Sequence, residues 1–196
     1  MPVVAGEIVG ILLAAGRGRR FGGDKLQHLL PDGLPLAVAA ANHLRPACDR
    51  LIAVLRPGAE ALGELLGAAG CETLVCADAD LGMGHSLAAA IRATPDAAGW
   101  VVALADMPFI ATASQQSVVA ALRNGASLAA TEFQGQRGHP VGFAGPWFAQ
   151  LSQFTGDQGA KSILQAHRAQ ITLCAVDDSG VLRDVDTPDD LFGRSA

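Results

Sequence analysis

Tyrosine is absent from this chain, and aromatic residues of every kind make up only 5% of it. A close-packed core must therefore come mainly from aliphatic side chains. Cysteine is scarce as well. Cys48, Cys71, Cys76 and Cys174 are scattered, with no Cys-x-x-Cys pair and no histidine at a zinc-binding spacing. They read as reduced thiols that pack like small hydrophobes. No apolar run is long enough to cross a bilayer. A basic leader followed by an apolar stretch is also missing, since Glu7 interrupts the N-terminus, and a cytoplasmic location is expected. The net charge is −5 and no basic stripe extends beyond the first loop, which argues against nucleic acid as a partner.

Two common phosphate-binding signatures are missing too. A Walker A loop needs Gly-Lys followed by Ser or Thr, whereas Leu26 follows Lys25. A dinucleotide fingerprint needs a third glycine where Phe21 stands, and an acidic residue about twenty positions on, where the pattern around Leu36 to Ala47 reads as helix.

What is present is an apolar run, Ile8 to Ala14, leading into Ala15-Gly16-Arg17-Gly18-Arg19-Arg20-Phe21-Gly22-Gly23-Asp24-Lys25. Glycines after a buried strand let backbone N–H groups approach an anion, since no side chain obstructs them. Three arginines and a lysine within nine residues reverse the local sign of an acidic chain, which suggests a polyanionic ligand such as a triphosphate.

Strands are expected at Ile8 to Ala14, Arg50 to Leu55, Glu72 to Cys76, Trp100 to Ala105, Ser127 to Thr131 and Ile171 to Val176. Helical patterns lie between them, at Leu36 to Leu44, Ala59 to Ala69, Ser86 to Ala93, Ala113 to Arg123 and Ala160 to His167. Continuous apolar strands alternating with helices argue for one α/β domain over residues 1–196, with a mostly parallel sheet between two helical layers. Ligands of such sheets collect at the carboxyl ends of the strands. The loops after Ala14 and Cys76 and the turn at Asp106 then share one rim.

Asp106 directly follows the most hydrophobic strand, where a carboxylate can hold a hard divalent cation. It lies too far upstream to cap the helix near Thr112. A second ligand is expected in Asp184-Val185-Asp186-Thr187-Pro188-Asp189-Asp190. In an extended segment Asp184 and Asp186 share a face, so both could approach one ion. Thr187, Pro188 and Asp190 fit a helix start with a capping box. Ser86 reads as another N-cap, and Lys161 as a solvated lysine. Arg17 and Arg19 read as solvated neighbours of the residues that matter.

The pattern Leu13-Ala14-Ala15-Gly16, Arg20, Gly22, Lys25 resembles the signature of nucleotidyltransferases that activate small phosphorylated molecules. Within that superfamily the resemblance is to molybdenum-cofactor cytidylyltransferase. It is carried further by Gly82-Met83-Gly84-His85-Ser86-Leu87, Ala105-Asp106-Met107-Pro108, Gly138-His139-Pro140-Val141, Gly156-Asp157-Gln158-Gly159-Ala160 and Asp184-Val185-Asp186-Thr187-Pro188, in the family's order. The resemblance implies a Rossmann-like α/β/α sandwich of the nucleotide-diphospho-sugar transferase kind, with a mixed sheet to which Val141 to Phe143 adds an antiparallel strand. It implies transfer of CMP from CTP to the terminal phosphate of molybdopterin, with a molybdoenzyme receiving the product. Leu13, Ala14, Ala15, Gly16, Gly18, Arg20, Lys25 and Ser86 would bind the nucleotide, with Arg20 and Lys25 on the triphosphate. His139 and Asp157 would contact the acceptor. Asp106 and Asp186, with Asp184 in reserve, would hold Mg2+, or Mn2+ in its place. Serine or another small residue is frequent in the family where His85 stands, so His85 is given no role.

A guanylyltransferase would read Leu-Ala-Gly-Gly where this chain has Leu13 to Gly16. An isoprenoid-pathway cytidylyltransferase would carry Pro-Lys-Gln where Asp24 precedes Lys25. Sugar-phosphate nucleotidyltransferases are a broader fallback, and a non-catalytic nucleotide or pterin carrier would have no need of a metal-aligned α-phosphate.

Overall fold

The computed structural model describes residues 6–18, 21, 24–157 and 160–192, so Arg19, Arg20, Gly22, Gly23, Gln158 and Gly159 lie outside the described residues. Seven strands form one sheet: β1 (Ile8–Leu13), β2 (Arg50–Leu55), β3 (Glu72–Val75), β4 (Gly99–Leu104), β5 (Leu128–Phe133), β6 (Gln136–Ala144) and β7 (Ile171–Ala175), in the order β3-β2-β1-β4-β6-β5-β7. Every neighbouring pair is parallel except the two made by β6, which runs antiparallel to both β4 and β5. The short Val141 to Phe143 segment expected from the sequence is thus part of a nine-residue strand inside the sheet.

The helices are α1 (Leu36–Leu44), α2 (Glu60–Ala68), α3 (Met83–Ala93), α4 (Thr112–Arg123), α5 (Phe148–Leu151) and α6 (Lys161–Ala166). Alternation along β1 explains the layering. Ile8 and Leu12 join the core under α1, α2 and α4, packing with Leu36, Leu62, Leu66, Val118 and Leu122. Val9 and Ile11 point the other way, into a core with Leu87 and Ile91 of α3, Leu151 of α5 and Ile163 of α6. A strand buried on both faces has no polar side to alternate with, which is why these runs are continuously apolar. Each buried Leu or Ile contributes about 1.5–3 kcal/mol on this count. Trp100 of β4 is fully buried, and its indole N–H donates to Thr94 Oγ1 at 2.9 Å, so its polar edge is satisfied.

The C-terminal segment returns across the strand ends. The 3-10 turn Ser179–Leu182 passes so close to β6 that a Cβ on Gly138 would lie 2.3 Å from the Val181 carbonyl oxygen. Asp178, just before it, accepts from Ala111 N–H (2.9 Å) and Ser114 Oγ (2.6 Å), supplying the cap at the start of α4 that Asp106 does not provide. Val185 N–H then donates to the Asp106 carbonyl at 2.9 Å, which pins residues 184–186 beside the end of β4. The expected helix start at Thr187 is a 3-10 turn, Pro188–Phe192, and the Asp190 carboxylate accepts from Thr187 N–H and Oγ1, both at 2.8 Å.

Candidate active site

The loop after β1, the N-terminal end of α3 and the end of β4 enclose a cavity of about 410 Å3, lined by Leu13, Ala15, Gly16, Arg17, Gly18, Asp80, Ser86, Asp106 and Asp157 among others. A second cavity, of about 400 Å3, adjoins it. The two share Leu13, Met83, Leu104 and Asp157 as a common wall. The second is a mostly aliphatic slot between Leu87, Val102, Val141 and Leu164, with Arg137, His139 and Lys161 supplying its polar edge.

Asp106 and Asp186 come together across 80 residues of sequence because of the backbone bond between Val185 and Asp106. Lys25 Nζ donates to both, to Asp106 Oδ2 at 2.9 Å and to Asp186 Oδ1 at 3.4 Å. The lysine side chain is 8% exposed, against 27% for Asp106 and 41% for Asp186. Lys25 therefore sits behind the carboxylates, and it is absent from the lining of the first cavity, where a triphosphate cation was expected. Asp184 does not join this group: among the described residues no three metal-ligating side chains cluster, and the Asp184 charge acts on His139.

Other expected positions divide in the same way. Ala15, Gly16 and Gly18 line the first cavity, and a Cβ placed on Gly16 would meet no atom within 4 Å, so the backbone there is open. Ala14 is fully buried and its N–H is engaged by the Val54 carbonyl at 2.9 Å, leaving it behind the cavity wall. Ser86 is no N-cap, because α3 begins three residues earlier at Met83 with Gly82 as the capping position. Its hydroxyl lies buried in the first turn of α3, with no hydrogen-bond partner. Gly82 has a φ of +126°, and a Cβ there would lie 2.3 Å from the Gly156 carbonyl carbon and 2.7 Å from Asp157 Oδ1. This contact, with Gly84 N–H donating to the Gly156 carbonyl at 2.8 Å, sets Asp157 at the wall between the two cavities.

His139 lines the second cavity with its Nδ1 buried and unpartnered. Burial pushes its pKa below the ordinary value of 6.5, against the upward pull of Asp106 and Asp184, so the ring is neutral at pH 7. Arg17, expected to be solvated, forms a two-point ion pair with Asp80 across the mouth of the first cavity. Lys161, expected to be solvated as well, lines the second cavity with Arg137. The available signal for Arg137 was its place one residue ahead of the Gly138-His139-Pro140-Val141 segment; nothing local marked Asp80.

Residues 10–171 match the MobA-like NTP transferase domain. The chain belongs to that family. It is 31% identical to the purine catabolism protein PucB of Bacillus subtilis over 93% of both chains, and 29% identical to nicotine blue oxidoreductase of Paenarthrobacter nicotinovorans over 94% of this chain and 95% of that one. Among solved structures, Rv0371c of Mycobacterium tuberculosis superposes with a TM-score of 0.82 at 31% identity, covering 95% of each chain. A manganese complex of Rv0371c superposes with a TM-score of 0.80 at 29% identity, over 95% of this chain and 96% of that one. The MobA-like NTP transferase fold accounts for the mixed seven-stranded sheet and makes the chain a nucleotidyltransferase domain.

Proposed function

We propose that the protein transfers a cytidylyl group from CTP to the terminal phosphate of molybdopterin, releasing pyrophosphate and forming molybdopterin cytosine dinucleotide in the cytoplasm, for delivery to a molybdoenzyme. The observation that carries this reading is the pair of cavities with one shared wall, a donor site beside an acceptor site. The first has the open glycine backbone and Asp106, with Asp186 joined to it through Lys25; the second has an aliphatic slot suited to a planar heterocycle and two cations suited to its phosphate.

The donor set fits a hard divalent cation. Asp106 lines the first cavity and shares the Lys25 ammonium with Asp186, a pair of carboxylates of the kind a hard divalent cation takes. Asp106 and Asp186 would hold Mg2+ or Mn2+, and the manganese complex of Rv0371c supports the use of such an ion. When bound, the ion supplies positive charge to offset that of the α-phosphate.

The remaining chemistry belongs to the chain. A phosphate monoester, with its second pKa near 6, is already largely dianionic at neutral pH and needs no general base. Its oxygen attacks the α-phosphorus, the new P–O bond forms, and the bond to the β-phosphate oxygen breaks with pyrophosphate leaving. Arg137 and Lys161 orient the acceptor phosphate, the Leu87–Val141–Leu164 slot fixes the ring, and Gly16 and Gly18 present backbone N–H groups to the triphosphate. Arg20 would supply its counter-charge, whereas Lys25, held by Asp106 and Asp186 behind the cavity, is not placed to do so in the nucleotide-free protein. Ala15 brings a methyl group into the cavity, crowding a purine more than a pyrimidine.

The likeness to nicotine blue oxidoreductase carries a second reading, redox chemistry on a heterocycle in the aliphatic slot. Incubation with molybdenum cofactor and each of CTP, GTP and ATP under Mg2+, with mass analysis of products, separates the two. A cytosine dinucleotide with stoichiometric pyrophosphate supports transfer; no nucleotide adduct and no pyrophosphate with any of the three removes transfer and leaves the redox reading.

A further inference from the structure

We propose that Lys25 is the resident cation of the Asp106–Asp186 pair in the nucleotide-free protein, and that a divalent cation enters by exchange with its ammonium group. The inference rests on reading these two carboxylates as cation ligands. Its grounds are geometric. Two carboxylates brought side by side repel one another, and the Lys25 ammonium, within 2.9 Å of one and 3.4 Å of the other, relieves that repulsion. The exposures are ordered: the lysine is 8% exposed while its partners are 27% and 41% exposed. Asp106 lines the first cavity and Lys25 does not, so an ion arriving from the cavity meets that carboxylate before it meets the lysine.

A doubly charged ion and an ammonium group compete for the same oxygens, and the lysine has the freer alternative. Its flexible four-carbon stem and three donors can turn to another anion, whereas carboxylates at two pinned backbone positions cannot follow it. Exchange changes the cavity in two ways at once. It adds the charge of the ion and frees Lys25 for a phosphate in a space whose described lining is otherwise net negative. Metal and nucleotide then favour each other's binding, reciprocally. The burial of Lys25 away from the cavity, at odds with a simple triphosphate contact, becomes the nucleotide-free half of a cycle.

Mn2+ binding to the nucleotide-free protein, followed by the electron paramagnetic resonance signal of free Mn2+, tests the exchange in wild type and Lys25→Met. The folded Lys25→Met protein should bind one ion about ten- to a hundredfold more tightly, the range expected for loss of one competing charged hydrogen bond, while transferring nucleotide more slowly. In wild type, acetylation of Lys25 by acetic anhydride, read by peptide mass spectrometry, should accelerate severalfold on adding Mn2+ alone. This second measurement stands even if Lys25→Met folds poorly. Equal or weaker Mn2+ binding in folded Lys25→Met, or Lys25 acetylation unchanged by Mn2+, overturns the exchange. Loss of Mn2+ binding in Asp106→Asn with CTP present would leave the ligand reading standing after such a failure. Full Mn2+ binding with CTP in both Asp106→Asn and Asp186→Asn would remove the ligand reading and the exchange together.

Discussion

The two cavities share a wall of four residues and have nearly equal volumes, yet their chemistry is opposite. Beside the mostly apolar shared wall, the first carries glycine backbone and the carboxylates of Asp80, Asp106 and Asp157, with Gly16 open to it and its one described arginine already paired with Asp80. The second is aliphatic, with two cations at its edge and a neutral histidine in its wall. On the proposed reading the first site receives its anion together with a cation at Asp106, whereas a site with Arg137 and Lys161 takes an anion directly. The proposed function uses that asymmetry, with the metal–nucleotide on one side and the acceptor phosphate on the other.

Removing the strand-end carboxylate of the first cavity should break this division most severely. Asp106→Ala takes away a strand-end ligand and leaves no core cavity, since Asp106 is part-exposed. Turnover should fall by several kcal/mol of transition-state stabilisation, roughly a thousandfold or more, with an unchanged circular dichroism spectrum. Near-normal rates in the folded variant would remove Asp106 from the chemistry.

A double substitution, Arg137→Ala with Lys161→Ala, tests the other side. KM for the acceptor should rise about ten- to a hundredfold, the scale of charged hydrogen bonds, with KM for CTP nearly unchanged. Equal effects on both substrates would erase the distinction between the cavities. Ala15→Gly sharpens the first cavity alone. It should relax the preference for CTP over GTP, measured as the ratio of kcat/KM values, by about 1–3 kcal/mol at most, as one steric contact does.

The smallest effect concerns His139. Its folded pKa lies below the ordinary 6.5, so between those two values the unfolded chain binds more protons than the native protein. Its contribution is therefore fully present above pH 7 and is lost as pH falls through 6.5 toward the folded value. Thermal unfolding at pH 7.5 and 5.5 should show a larger acid loss in wild type than in His139→Gln. Equal losses would mean that the buried neutral ring contributes nothing to the pH dependence.

The strands and helices were legible because their signals are local and repeated. The runs at Arg50 to Leu55 and Leu36 to Leu44 are bounded in the structure where their apolar patterns end. The length of β6 was harder to read, because Gln136 and Arg137 are polar and exposed at its start and only its middle is apolar. At the site, Asp106 was legible as a strand-end carboxylate, and its pairing with Asp186 came from the family resemblance. Their meeting depends on one backbone bond from Val185, which no residue pattern encodes. The inward turn of Lys25, the pairing of Arg17 with Asp80, and the start of α3 ahead of Ser86 are likewise products of distant packing. Asp178, which caps α4 from 67 residues away, left no mark in the helix's own sequence.

The central claim is transfer of a cytidylyl group between two adjoining sites, and the mass of the product tests it most directly. With molybdenum cofactor, Mg2+ and equal concentrations of CTP, GTP and ATP, the predicted result is one dominant adduct, the cytosine dinucleotide, with one pyrophosphate released per adduct. A folded protein that forms only the guanine dinucleotide would contradict the choice of base, and one that releases no pyrophosphate with any of the three would contradict the transfer itself.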